Sequence, residues 1–269
     1  MLVNTFETAL FLTERLIGFA LILQTIELFQ LRKTYSKNGI WTWNHLRHEF
    51  ENLWLPLRVL LDWFLSDRHF LIFLVLRLIL IIAGLIVVTP LLWGLILLST
   101  ILITMRWRGT FNGGSDYMSV IVLIAVLICL TTDKSPIWSA LALGYVGLQC
   151  CLSYFIAGVA KLRHASWRDG TAVRGFLQSN YYGSPELIRN YHFKNLRSTQ
   201  ALGWVIMIFE CVFPLALLNP KTCLYMISFA FGFHILNATI YGLNRFVWAW
   251  AAAYPSLYWC SQFIELRLL

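Results

Sequence analysis

Residues 153–170 read SYFIAGVAKLRHASWRDG. An apolar run enters this stretch from Trp138 and ends on Lys161, after which the chain turns polar. Trp138–Lys161 is long enough to cross a bilayer, which takes about 20 apolar residues in a helix. A lysine closing such a helix is either an interface anchor, with its stem in hydrocarbon and its ammonium among headgroups, or a base tuned by its surroundings.

Outward from that helix the same character continues. Of 269 residues, 59% are hydrophobic and only 13% charged, and the mean hydropathy is +0.68. Soluble domains are about half apolar, so the expected fold is all-α, a polytopic integral membrane helical bundle. Eight spans are expected, at Phe11–Leu31, Phe70–Val88, Leu91–Thr104, Met118–Leu130, Trp138–Lys161, Leu202–Leu218, Leu224–Ile240 and Phe246–Phe263. No extramembrane stretch is long enough for a second domain, so one transmembrane domain is expected over 1–269. Pro90 leaves almost no loop between the second and third spans, which predicts an antiparallel hairpin. The first twelve residues lack the basic start and small-residue cleavage site of a secretory signal, so the first apolar stretch is expected to stay as a span.

The segment 41–64, WTWNHLRHEFENLWLPLRVLLDWF, mixes tryptophan, leucine and charge at helical spacing. It predicts a helix lying in the membrane plane, with Trp41, Trp43, Trp54, Leu55 and Trp63 at headgroup depth and a break at Pro56. His45 and His48 share a helical face there, but two histidines make no metal site, and no metal is expected.

The net charge of +8 does not point to nucleic acid, because the basic residues lie in loops between spans. Arg32, Lys33, Lys37, Arg47, Arg58, Arg68, Arg106, Arg108, the long loop 162–200 and Arg245 collect on one side. Only Lys134, Lys221 and Arg267 fall on the other. That bias predicts a cytoplasmic long loop and both termini outside. The six cysteines form no C-x-x-C and no zinc spacing. Cys150 and Cys151 read as buried small hydrophobes, while Cys129, Cys223 and Cys260 near span ends leave a disulfide open.

Several residues stand out chemically. Glu14 and Arg15 in the first span are expected to be paired, since ionisable groups in membranes usually are. RWRGTFNGGSDYM, 106–118, is either a plain loop with an arginine anchor or a backbone-rich turn that approaches a ligand through Arg108, Asn112 and Asp116. Glu210 sits inside a span among Met207, Phe209 and Phe213, where a carboxylate must be protonated or partnered. His234 and Asn237, three apart, project from one helical face, and a hydrogen-bonded Glu210–His234 pair is one reading. The long loop mixes aromatic and basic residues, a composition that suits lipid headgroups, a peptide or a quinone head.

Three segments carry a family resemblance. SYFIAGVAKL with Trp167 and Gly170 resembles the lysine-bearing helix end of vitamin K-dependent gamma-carboxylases. FHILNATIYGLNRFVW, 233–248, resembles their later helix at His234, Asn237, Gly242 and Phe246, and FNGGSDYM, 111–118, occupies the place of their Asn-rich turn. The broader group is the HTTM ("horizontally transferred transmembrane") family of many bacteria, and the likeness runs roughly from Arg106 to Trp259. DoxX-type membrane oxidoreductases carry a similar G-x-x-K-L ending. The resemblance implies a bacterial plasma-membrane protein. It also implies that Lys161 is the base that deprotonates a hydroquinone; on the enzyme reading His234 and Glu210 are expected to be catalytic with it, and Asn112, Asp116, Trp167, Asn237 and Arg108 to contact substrate. Its implied cofactor is a quinone or hydroquinone. Its implied partners are membrane lipids and a peptide substrate or partner subunit. The chain departs from the carboxylases at Gly113 or Gly114, where they carry a histidine, and in lacking their large lumenal portion. Two functions follow: a quinol-linked membrane enzyme, or a non-catalytic subunit that handles a secreted peptide during maturation, export or immunity. A transporter is a weaker third, since no internal repeat is evident.

Overall fold

The computed structural model describes residues 2–36, 39–107, 113–132, 136–179 and 195–268. Every element among them is helical. In chain order the α-helices are α1 (Leu2–Gln30), α2 (Trp43–Leu46), α3 (Leu55–Leu65), α4 (Asp67–Ile86), α5 (Pro90–Arg106), α6 (Gly114–Thr131), α7 (Pro136–Arg163), α8 (Ala165–Arg168), α9 (Thr171–Gln178), α10 (Leu196–Val212), α11 (Pro220–Tyr241) and α12 (Asn244–Leu268).

Each expected span is a helix. Among the described residues, six helical stretches are long and apolar enough to cross a membrane: Thr5–Lys33, Asp67–Ile86, Gly114–Thr131, Pro136–Arg163, Leu196–Leu217 and Pro220–Tyr241. The short α5 is apolar as well, and α12 is long but weighted toward aromatic and polar residues. Their outer faces are as greasy as their inner ones. Ile72, Leu76 and Ile79 on α4 and Leu224, Phe229 and Leu236 on α11 are all exposed. Water would reject such faces and bilayer hydrocarbon accepts them, since a helix closes its own backbone hydrogen bonds. The chain is an integral membrane protein whose outer helix faces contact lipid.

Punctuation in the sequence sets the helix ends. Thr89 caps α5 by accepting from Leu92 N, 3.4 Å, with Pro90 next. Asn219 caps α11 in the same way, 2.9 Å from Thr222 N, and α11 ends at Gly242 in the left-handed region (φ 71°).

The chain forms two compact units, Phe11–Ala142 and Met1–Leu10 with Leu143–Leu269. In the first, α4 and α5 make the expected hairpin, with Gly84 so close that a Cβ there would lie 2.6 Å from Ile96 Cδ1. Its aromatic end is organised by the buried Arg106. The guanidinium pairs with Asp67 at 2.8 Å and lies under the rings of Phe70 (4.8 Å) and Trp43 (5.5 Å). Tyr35 packs in the same cluster and donates to Leu28 O, 3.0 Å, and burial pushes its phenol up to about 12.

Other details bear on the sequence expectations. Trp43 is buried within the protein, where its backbone N–H donates to Asp67 (2.9 Å) and its indole to Asp62 (2.7 Å). Trp54, Leu55 and Trp63 do remain exposed. The helical run through 41–64 is interrupted over 51–54, next to Pro56 as expected, and Pro56 lies in the first turn of α3, where its missing N–H costs no hydrogen bond. Gly114, Ser115 and Asp116 form the first turn of α6 instead of a loop, with the acid at the helix end that favours negative charge. Arg15 does not depend on its neighbour Glu14 alone: its guanidinium donates to the Leu85 carbonyl. All six cysteines are free thiols.

Candidate functional site

The unit Met1–Leu10 with Leu143–Leu269 holds the lysine. On α7, Tyr154, Gly158 and Lys161 follow at spacings of four and three and share one face. Gly158 is where α10 presses in. A Cβ there would meet Cys211 N at 2.8 Å and Glu210 Cβ at 2.9 Å. This close crossing brings Lys161, one turn on, to Glu210. Lys161 Nζ donates to both carboxylate oxygens, each at 2.7 Å. The Lys161 side chain is 20% exposed and that of Glu210 only 4%, so the acid is the member that depends on its partner.

A third group covers the ammonium. The Trp167 ring centroid is 5.3 Å from Lys161 Nζ. The chain turns back after α7 to place it. Gly203 on α10 lets the Trp167 carbonyl approach, since a Cβ there would lie 2.9 Å from that oxygen. Gly170 adopts φ 85° against the backbone of Gln200, whose side chain donates to Arg168 O at 3.0 Å. Asp169 accepts from Thr171 N (2.9 Å) and Oγ1 (2.6 Å), bonds that hold its exposed carboxyl below the ordinary aspartate range. Val173 and Leu177 on α9 are buried and pack with Trp167 and Leu202.

His234, on α11, pairs elsewhere. Its Nε2 lies 2.6 Å from Tyr154 Oη, and that oxygen is 3.0 Å from Tyr254 Oη on α12. The second ring nitrogen, Nδ1, is buried with no hydrogen-bond partner among the described residues. The rings of Phe233 (5.5 Å), Trp250 (5.9 Å) and Phe246 (6.2 Å) surround the imidazole. The unmatched nitrogen thus lies in an apolar, aromatic setting.

The structure thus brings Lys161, Glu210 and Trp167 together, and joins His234 to Tyr154 instead of Glu210. Asn237 is half-buried one turn beyond His234. Asp116 is buried in the unit Phe11–Ala142, where Gln24 Nε2 donates to it at 3.0 Å. Arg108 and Asn112 lie outside the described residues. Two phenols escaped the sequence reading, Tyr154 and Tyr254. The spacing of Tyr154 from Lys161 was a usable signal, since seven residues return to the same helix face.

The family model for the HTTM domain matches residues 95–261 of the chain. No curated protein and no solved structure matches.

Proposed function

Because the chain belongs to the HTTM family, we propose that it is a quinol-linked membrane enzyme in which the Lys161–Glu210 couple takes a proton from a hydroxyl of its substrate. The observation that carries this reading is the couple itself: an amine within 2.7 Å of both oxygens of a buried carboxylate, at the end of a membrane helix. Ionisable residues inside membrane helices are costly and mark functional sites by default. A proton shift from Lys161 Nζ to Glu210 frees the amine lone pair. That lone pair accepts the hydroxyl proton, and the ammonium so formed faces the oxyanion left behind. The indole of Trp167 limits water at the amine. His234 and its aromatic neighbours supply a place for the ring.

One observation favours the second reading, a non-catalytic subunit that handles a secreted peptide. The ammonium reaches both carboxylate oxygens, as in a pair that only fastens two helices. Mass spectrometry of the chain purified in mild detergent separates the two. A quinone that co-purifies with the parent protein and is lost from Lys161→Gln, together with menadiol oxidation by added dioxygen that falls at least about 100-fold, as for a lost acid–base group, is the expected result. Peptide without quinone, and menadiol turnover equal in both proteins, supports the peptide-handling subunit and ends the enzyme reading.

The excess of Lys and Arg beside one set of span ends supports a cytoplasmic 162–200 loop. Protease added outside intact cells is expected to spare that loop and to attack it only after lysis. Cleavage in intact cells reverses the orientation.

A further inference from the structure

Tyr254, Tyr154 and neutral His234 carry three exchangeable protons and make two hydrogen bonds with each other, so one proton is left at an end of the chain. A phenol is the better donor and an imidazole nitrogen the better acceptor. The shorter contact, 2.6 Å, is therefore Tyr154 O–H donating to Nε2. Tyr154 Oη keeps its lone pairs for the hydroxyl of Tyr254 at 3.0 Å. With Nε2 accepting, the imidazole proton must sit on Nδ1, the nitrogen that is buried and unmatched. A buried N–H without an acceptor is unfavourable, and an oxygen from a bound molecule would relieve it.

We infer that His234 meets the substrate as a hydrogen-bond donor through Nδ1, and that Tyr154 and Tyr254 are positioning residues that hold it in that tautomer. This rests on the quinol reading for the identity of the substrate and not for the tautomer. The acceptor is a carbonyl or oxyanion oxygen on a flat, membrane-soluble ring. On α7, Tyr154 lies about two turns, roughly 10 Å of rise, from Lys161. Lys161 and the Tyr154 phenol that holds His234 are therefore two polar groups on one face of α7.

The test uses the full chain in lipid nanodiscs with nitrogen-15 in its histidines, and His234→Gln to assign the His234 signals. In the parent, Nδ1 is expected to carry the proton and Nε2 to show the signal of an acceptor. Tyr154→Phe is expected to move the proton to Nε2, and Tyr254→Phe to leave it on Nδ1 while lengthening the Tyr154 bond. A proton on Nε2 in the parent, or ring signals that do not change in Tyr154→Phe, overturns the inference. Added menadione is expected to shift the Nδ1 signal saturably in the parent. If Tyr154→Phe redirects the proton but menadione moves nothing, the tautomer stands and the quinol reading falls.

Discussion

Lys161→Met is expected to destabilise its unit by about 3 kcal/mol, the low end of what orphaning a buried charge costs, because the lysine is 20% exposed and the pair is not fully dry. Glu210→Leu is expected to cost less. Its orphan, Lys161, ends a helix and can swing its ammonium toward the headgroups, whereas the Glu210 carboxylate has no such exit. The double variant Lys161→Met/Glu210→Leu is expected to recover most of the loss, since an apolar pair of similar volume replaces an ion pair at little net cost. A thiol-reactive dye can follow the melting, because Cys150, Cys151, Cys223 and Cys260 in this unit are buried free thiols. Gly158→Ala reaches the same end from the packing side. Its methyl would sit 2.8 Å from the Cys211 backbone nitrogen, so α7 and α10 must part, and overpacking of this kind costs about 1–3 kcal/mol. If the single and double variants melt alike, the pair is not coupled and its geometry is incidental. Stability and chemistry then separate cleanly: the double variant should fold like the parent yet show no menadiol turnover.

That separation also shows what the sequence can and cannot disclose. The spans were legible because a bilayer demands long apolar helices and nothing else in the chain looks like them. Lys161 and Glu210 were legible as misfits, one closing a span and the other inside one. Their partnership was not, for they are 49 positions apart and periodicity relates only residues on one helix. The reading that set Glu210 beside His234 drew on the two most polar groups of late spans. The structure shows that an unnoticed phenol, Tyr154, holds the histidine. Trp43 hides its partners for a related reason. Tryptophan prefers the membrane interface, and composition does not reveal that Asp62 and Asp67 hold this one by hydrogen bonds. Asp116 was visible as an acid after a glycine pair, and its bond to Gln24 across 92 positions was not.

Arg77 was the clearest signal left unread, the one arginine inside FLIFLVLRLILIIAGLI, 70–86, and it carries the second large expectation. It is 1% exposed on α4 within the unit Phe11–Ala142. Its guanidinium donates to Thr25 Oγ1 (2.5 Å), Gln24 Oε1 (2.9 Å), Thr100 Oγ1 (3.2 Å) and Ser99 Oγ (3.3 Å). The hydroxyls are set up to receive it. Thr25 donates its own proton to Leu21 O, and Ser99 and Thr100 donate theirs to Ile96 O, so all three turn lone pairs toward the arginine. Gln24 carries the link on to the buried carboxylate of Asp116. Arg77→Met is therefore expected to cost about 3–5 kcal/mol, because it removes the cation from a buried polar network that runs through Gln24 to Asp116. The hydroxyls themselves lose little, since their bonds to helix carbonyls survive. Adding Asp116→Asn is expected to return most of that stability, with a coupling of about 1–3 kcal/mol in the double-mutant cycle. Arg77→Lys should restore only part of it, because an ammonium cannot present a planar fork to four acceptors on two helices. Cys129, buried in this unit, reports the melt when the other five cysteines are replaced by alanine. An Arg77→Met variant that melts with its parent would mean that α1, α4, α5 and α6 are held by their apolar packing alone.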